Sequence, residues 1–273
     1  VFTVKEYRNQ GVMSHMLDFA VQHVKENGYD LSWLSGNRHR YRNYGWDLAG
    51  RQGRYLVEEK AVRKYYPQDI QADISISMAD ETCKELLAGK YAGHQCGAVR
   101  DARHWHLQLK RDNLVWKTAR TATGFAYMVH DAEHPAEIPE IQGDGPETVA
   151  LLKRHMSDNG LGAIEVFSPW CGFASPVPLL NHISSRCTME SIGQLRIVNG
   201  KQLREKLMPA MKSSILLDSP RFPTDKLEDP DLWIQTLKGM LGFVCVDKSL
   251  PEDLDTLQRA MPIHWWLSRI DSV

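Results

Sequence analysis

The sequence predicts a mixed α/β fold (α/β or α+β) that is divided into more than one domain. The chain has 273 residues, which is more than one hydrophobic core usually organises, since single domains centre on roughly 100 to 150 residues. Short β-branched and aromatic runs alternate with stretches whose apolar residues recur every three or four positions, a pattern typical of alternating strands and helices. Breaks in composition near Pro67 and Ile192 divide the chain into residues 1–67, 68–191 and 192–273.

The overall composition is that of a soluble globular protein. Charged residues make up 25% and hydrophobic residues 42% of the chain, both close to the usual values, and no apolar run approaches the roughly 20 residues that span a bilayer. Lys and Arg number 33 against 34 Asp and Glu, so the protein as a whole has no charge that would attract nucleic acid or an anionic membrane. We therefore expect neither among its partners, and a homo-oligomer stays open.

The cysteines indicate a reducing compartment. Their number, five, is odd, and they form no C-x-x-C pair and no spacing interleaved with histidines. Free thiols in the cytoplasm fit this pattern, and no metal is expected. The chain also begins with Val1 in place of Met and enters an apolar strand without a signal-peptide pattern. We therefore expect the sequence to be an N-terminally incomplete part of a longer protein.

The first segment predicts a strand, a loop, a helix and a second strand. Residues Val1–Val4 are β-branched and aromatic, and the polar run 5–11 ends this strand. From Val12 the apolar residues keep a helical spacing for about four turns, until Asn27-Gly28 provides a left-handed stop. Residues 29–34 form the second strand, and a parallel pairing of the two strands would make a right-handed crossover.

Strands and helices alternate in the same way through the rest of the chain. Further strands are predicted at 54–60, around Ile74 and Ile76, and at 104–109, 115–120 and 125–130. Further helices are predicted at 83–91, 147–156, 203–211 and 233–241. The polar stretches 62–68 and 133–145 are predicted to be connectors.

The loop before the first helix has the chemistry of a phosphate site. A loop at a helix start presents unpaired backbone amides and the positive end of the helix dipole, and these hold a pyrophosphate with few cationic side chains. Gly11 lets the backbone approach a ligand closely, and Arg8 adds a charged donor for phosphate. The strand edge at Val1 and Thr3 can pair with the amides of an extended ligand.

Two motifs resemble those of GNAT acetyltransferases. The run VFTVKEYRNQGVM, residues 1–13, is similar to the acetyl-CoA motif of that family, in which Arg or Gln, two residues, Gly, one residue and Gly or Ala follow one another; Met13 occupies the last of these positions. The run LSGNRHRYRNYGW, residues 34–46, resembles the family's strand, loop and helix that end in an aromatic-Gly-aromatic signature. Within the family, the chain is most similar to the tandem enhanced-intracellular-survival (Eis-like) acetyltransferases.

The resemblance implies both a domain organisation and an activity. Proteins of this type have two GNAT-like domains and a C-terminal sterol-carrier-like domain. Residues 1–67 would be the C-terminal half of the acetyl-CoA-binding GNAT domain, 68–191 a second, degenerate GNAT-like domain, and 192–273 a short sterol-carrier-like segment. Acetyl-CoA would be the cosubstrate, and its acetyl group would pass by direct attack to a primary amine of a small molecule or peptide.

The resemblance also implies roles for individual residues. Tyr41, three residues before the aromatic-Gly-aromatic signature, would be the general acid that reprotonates the departing CoA thiolate. A phenol suits this step because its pKa, near 10, is comparable to that of the thiol. The terminal carboxylate, on Val273, would help to deprotonate the amine. The residues expected to bind acetyl-CoA are Val1, Thr3, Arg8, Asn9, Gln10, Gly11, Met13 and Ser14.

Two other functions stay open. A non-catalytic acyl-CoA-binding protein would use the same loop without chemistry. A hydrophobic-ligand-binding protein would use the aromatic residues near the C-terminus, which core packing explains equally well. These aromatic residues are Trp233, Phe243, Trp265 and Trp266.

Two polar clusters have more than one interpretation. His104 and His106 lie on one face of a predicted strand, a spacing that can bind a metal, although packing is favoured because no third ligand is near. An acidic run suits contact with a polyamine-like cation, and more often such a run is a solvated loop. Its residues are Asp131, Glu133, His134, Glu137 and Glu140.

Overall fold

The chain folds as a mixed α/β protein, as the sequence predicts. The computed structural model describes residues 3–67, 73–93, 97–170, 176–212, 226–244, 250–260, 262–263, 265 and 267–271. The chain divides into two compact units, Val1–Gly50 with Ser191–Ile263 and Arg51–Glu190 with His264–Val273. Each unit is therefore assembled from two separate stretches of sequence.

The two units do not follow the predicted segments. Segments 1–67 and 192–273 are each shared between the units, whereas 68–191 lies almost entirely in the second. Strand pairing explains the first division, because residues 52–58 pair with two strands of the second unit. The assignment of the three segments to separate domains stays a prediction.

The first unit has helices on a small antiparallel sheet. In chain order its elements are α1 (Val12–Glu26), β1 (Leu31–Leu34), α2 (Arg38–Tyr41), β2 (Asp47–Ala49), β11 (Gly193–Ile197), α8 (Gly200–Lys212), α9 (Pro230–Met240) and α10 (Glu252–Ala260). The strands pair in the order β1-β11-β2, and both pairings are antiparallel. Short 3₁₀ helices lie at Lys5–Tyr7, Arg42–Tyr44 and Lys226–Glu228.

Helix α1 confirms the helix predicted from the apolar spacing. It begins after Gly11, which has φ +75°, and its C-cap Asn27 is followed by Gly28 at φ +74°. Both glycines have the left-handed conformation that residues with a Cβ rarely adopt. One face of the helix is held by a small apolar cluster. Its buried members are Leu17, Tyr41 and Trp46, and Met13, Val21, Leu34 and Tyr44 pack around them.

The predicted strand at residues 1–4 lies partly outside the described residues. Val1 and Phe2 are not described, and Thr3 and Val4 precede the Lys5–Tyr7 3₁₀ helix without forming a strand. Strand β1 confirms the predicted second strand, but its described partner is β11, which runs antiparallel. The parallel crossover with residues 1–4 stays a prediction.

The second unit contains two four-stranded sheets. The strands are β3 (Gln52–Glu58), β4 (Ser75–Met78), β5 (Leu114–Arg120), β6 (Phe125–Asp131), β7 (Glu137–Ile138), β8 (Glu140–Gln142), β9 (Ala163–Pro169) and β10 (Ser184–Glu190). One sheet has the order β10-β3-β9-β7 and the other the order β4-β5-β6-β8. Among the described pairings, only that of β7 with β9 is parallel. The helices are α3 (Glu59–Tyr65), α4 (Lys84–Tyr91), α5 (Ala102–Leu109), α6 (Pro146–Asp158) and α7 (Val177–Ile183).

Two predictions in the second unit are wrong about local structure. The predicted strand at 104–109 is helix α5, because the Asp101 side chain caps it by accepting a hydrogen bond from the His104 amide at 2.8 Å and Trp105 and Gln108 form its buried face. The predicted connector at 62–68 overlaps helix α3, which directly follows β3. Each histidine of α5 contacts a carboxylate: His104 lies 2.8 Å from Asp101 and His106 lies 2.6 Å from Glu81.

The acidic run at 131–140 is also not a uniform solvated loop. Glu133, His134 and Glu137 are exposed and Asp131 is half-buried, but residues 140–142 form β8, and Glu140 is fully buried there. The sequence gives no local sign of this burial, because the residue that neutralises Glu140, Arg100, lies in a distant part of the chain. A cation-binding surface can therefore involve only the other four residues.

Candidate functional site

A cavity of about 480 Å³ lies at the N-terminus of α1 in the first unit. It contains most of the residues that the sequence predicts for acetyl-CoA: Thr3, Arg8, Asn9, Gly11, Met13 and Ser14 line it. Gln10 does not, because its side chain donates a hydrogen bond to the Glu6 carbonyl at 3.0 Å. Val1 lies outside the described residues. The remaining lining residues are Tyr7, Val12 and Arg40.

The loop at this helix start leaves its amides unpaired. Asn9 and Gly11 both have positive φ, at +63° and +75°. The backbone amides of residues 9–14 donate no hydrogen bond to any described residue. The first amide with a partner is that of His15, which donates to the Gly11 carbonyl at 3.1 Å. A helix end of this kind attracts anions through its free donors and its dipole.

The side chains at the cavity make its potential positive. None of the nine described residues that line it is acidic, and two are arginines. Arg8 donates from Nε to the Thr3 carbonyl at 3.2 Å, which leaves its two terminal nitrogens available. Arg40 belongs to α2 and comes from a different part of the chain. Two guanidinium groups beside free amides suit a ligand with several negative charges.

Helix α2 is fixed by its own charge contacts. Arg38 donates from Nε to Asp47 at 2.6 Å, and Arg42 lies 3.5 Å from the other oxygen of the same carboxylate. Partial burial raises the pKa of Asp47, but the hydrogen bond from Arg38 and the charges of both arginines outweigh it and hold the pKa below its usual value. The Asn37 side chain also caps the helix by accepting from the His39 amide. The contacts of Arg38, Arg42 and Asn37 thus fix the position of the helix to which Arg40 belongs.

Two tyrosines in and just after α2, Tyr41 and Tyr44, have different surroundings. Tyr41 is 6% exposed, packs with Leu17 and Trp46, and does not line the cavity. Among the described residues, none hydrogen-bonds to its hydroxyl group. The hydroxyl of Tyr44 lies 2.7 Å from that of Ser14, which does line the cavity. Tyr44 belongs to the aromatic-Gly-aromatic signature, and no pattern in the sequence indicates its contact with Ser14.

The second proposed catalytic group, the carboxylate of Val273, lies outside the described residues. The residues shortly before it are held within the second unit. Asp271 lies 2.8 Å from the Arg100 guanidinium, and the Ile270 carbonyl accepts from Gln108 at 2.8 Å and from Arg111 at 2.9 Å. Ile270 itself is buried. This part of the tail is therefore bound and does not extend into solvent.

Arg100 is the centre of a buried charge cluster in the second unit. Its side chain is 1% exposed, and it binds Glu140 at 2.6 Å as well as Asp271. The Tyr127 hydroxyl donates to Glu140 at 2.7 Å, and the guanidinium lies 3.9 Å from the centre of the Tyr91 ring. Burial opposes ionisation of Glu140, but the charge and hydrogen bonds of Arg100 hold its pKa below the usual value. For Asp271, burial outweighs the same arginine and raises the pKa.

Three further features of the described residues bear on the class of site. Within the described ranges, no group of three or more His, Cys, Asp or Glu side chains is placed to hold a metal ion. No helix in the described part of the chain combines the length and apolarity needed to cross a membrane. Trp233 and Phe243, considered for a hydrophobic ligand, are both buried in the first unit, and the Trp233 indole donates to the Gly200 carbonyl at 2.8 Å. Trp266 lies outside the described residues.

Comparison with known proteins relates this site to one family. Residues 1–49 match the family described as "Acetyltransferase (GNAT) domain". The fold is similar to a GCN5-related N-acetyltransferase from Kribbella flavida, with TM-score 0.53, 17% identity and coverage of 74% of this chain and 52% of that chain. It is also similar to a protein of unknown function from Enterococcus faecalis V583, described as a probable N-acyltransferase (TM-score 0.55, 18% identity, 76% and 55% coverage). A third similar structure is a GCN5-related N-acetyltransferase from Anabaena variabilis (TM-score 0.52, 15% identity, 74% and 54% coverage).

These likenesses concern the fold and a short part of the sequence. The chain spans about half the length of the structures it matches, and a search of curated proteins returned no significant match. The match of residues 1–49 confirms the predicted resemblance to a GNAT domain, and the similar structures confirm a GNAT-like fold. The narrower assignment to the enhanced-intracellular-survival type stays a prediction.

Proposed function

We propose that the protein transfers the acetyl group of acetyl-CoA to a primary amine of a small molecule or peptide. The proposal depends above all on the unpaired amides of residues 9–14, which lie at a cavity lined by two arginines and no acidic residue. The diphosphate of CoA provides several anionic oxygens for such donors. The GNAT domain match over residues 1–49 supports acyl transfer as the chemistry. A cytoplasmic location belongs to the same proposal.

In the proposed reaction the amine attacks the thioester directly. Its nitrogen forms a bond to the carbonyl carbon, the carbon–sulfur bond breaks, and no covalent acyl-enzyme is formed. The thiolate takes a proton from Tyr41, and the carboxylate of Val273 accepts the amine proton directly or through a water molecule. The Tyr41 hydroxyl has no hydrogen-bond partner among the described residues, which supports its role, while its ring is buried and does not line the cavity. The role of Val273 follows from the family resemblance alone.

The proposal predicts release of free CoA thiol from acetyl-CoA only when an amine is present. The assay incubates the protein with acetyl-CoA and a panel that includes a polyamine, an aminoglycoside and a lysine-containing peptide, and follows thiol with a chromogenic disulfide. Acetylation of the same amine, detected by mass spectrometry, should match the thiol released. Acetyl-CoA binding without thiol release for any amine of the panel would instead favour the non-catalytic acyl-CoA-binding function.

A further inference from the structure

One of the two arginines that line the cavity, Arg40, lies outside the loop that carries the free amides. Arg40 is the only lining residue that comes from α2 among those described; the others belong to residues 3–14. Its side chain is exposed and makes no hydrogen bond or ion pair with any described residue. The arginines on either side of it, Arg38 and Arg42, are both paired with Asp47. No described residue therefore neutralises the charge of Arg40 at the edge of the cavity.

The loop already provides the donors that a diphosphate needs. The amides of residues 9–14 are free, and the two terminal nitrogens of Arg8 are adjacent to them in the same loop. CoA carries a further anionic group, the phosphomonoester on the 3′ position of its ribose. A phosphomonoester has a charge of about −1.5 to −2 at pH 7 and three acceptor oxygens. A guanidinium group binds such a phosphate with paired, charge-assisted hydrogen bonds.

We propose that Arg40 binds the 3′-phosphate of CoA and makes the site selective for CoA over 3′-dephospho-CoA. This inference rests on the proposed function, because it takes the loop at residues 9–14 as the diphosphate site. It assigns the two arginines different roles: Arg8 is part of the diphosphate loop, whereas Arg40 reaches the cavity from a separate helix. Arg40 is thus a specificity-determining residue that takes no part in the acyl transfer itself.

The test compares the binding of two ligands that differ only in the 3′-phosphate. Isothermal titration calorimetry measures Kd for CoA and for 3′-dephospho-CoA with the unmodified protein, Arg40→Gln and Arg42→Gln. We expect the unmodified protein to bind CoA about tenfold more tightly, the effect of one charge-assisted contact partly screened by solvent. Arg40→Gln should weaken CoA alone and bring the ratio close to one.

Arg42→Gln is the matched control. It removes the same charge two residues later in the chain, but Arg42 pairs with Asp47 and does not line the cavity, so the ratio should be kept. In the unmodified protein the ratio should also fall as salt is raised, since the contact is solvent-exposed.

The possible outcomes separate this inference from the proposed function. Equal affinities for the two ligands in the unmodified protein would overturn the role of Arg40 and leave the acyl-CoA site intact. An equal loss of affinity for both ligands in Arg40→Gln would also overturn it, because Arg40 would then act on a group that both ligands share. If neither ligand binds to the unmodified protein, the proposed function and this inference both fail.

Discussion

Replacing Tyr41 with Phe should slow acetyl transfer by roughly 10²- to 10⁴-fold, the usual range for a positioned general acid. The change removes one hydroxyl group and keeps the ring, which packs with Leu17 and Trp46 in the first unit. The helix and the cavity should therefore be preserved, and the loss should appear in kcat, with the Kd for CoA unchanged. Steady-state thiol release and a parallel CoA titration measure the two quantities.

Tyr44→Phe is the control for this prediction. It removes a hydroxyl that is bonded to Ser14 at 2.7 Å, so we expect it to act mainly on the KM for acetyl-CoA through the freed Ser14 side chain. If Tyr41→Phe turns over at the normal rate while Tyr44→Phe loses kcat, Tyr44 is the acid and the assignment taken from the resemblance is wrong. A loss of CoA binding in Tyr41→Phe would make its role structural.

Replacing Arg100 with Met should lower the free energy of unfolding by about 3 to 5 kcal/mol, the range observed when one partner of a buried ion pair is removed. The variant leaves Glu140, which is completely buried, and Asp271 without their common cation. The cost comes from buried carboxylates that can no longer be neutralised. Urea unfolding followed by far-UV circular dichroism measures it.

The effect of pH provides a second measurement on the same variant. In the unmodified protein the folded-state pKa of Glu140 is lowered, so the stability it contributes is present above its unfolded pKa and is lost as the pH falls. Without Arg100, burial should raise that pKa, and the variant should gain stability on acidification. The triple variant Arg100→Met, Glu140→Gln, Asp271→Asn should recover part of the loss at neutral pH. A single variant within 1 kcal/mol of the unmodified protein would contradict the account.

The parts of the fold that the sequence predicts are those with strong local signals. Helix α1 has apolar residues at helical spacing, a preceding glycine and an Asn-Gly stop, and the structure confirms it almost to the residue. The phosphate loop is equally local, because Asn9, Gly11 and the helix start are consecutive in sequence. Strands β5 and β6 are rich in β-branched and aromatic residues and are also confirmed.

The parts that the sequence does not predict depend on residues far apart in the chain. Glu140 appears in a polar run, and only the contact with Arg100 explains its burial. The division of the chain into units depends on β3 pairing with β9 and β10, more than 100 residues later. Helix α5 replaces the predicted strand because the Asp101 side chain caps it and Trp105 and Gln108 form its buried face. Arg40 lies within the run 34–46, but the pattern of that run implies a role only for its neighbour Tyr41.

The central claim is that the free amides of residues 9–14 hold the diphosphate of CoA. The most direct measurement is the ¹H–¹⁵N spectrum of labelled protein titrated with CoA and, separately, with pantetheine, which lacks the diphosphate. We expect CoA to move the amide protons of residues 9–14 downfield, as new hydrogen bonds to anionic oxygens form, and pantetheine to leave them unchanged. Binding of CoA with these six amide signals unshifted would contradict the claim.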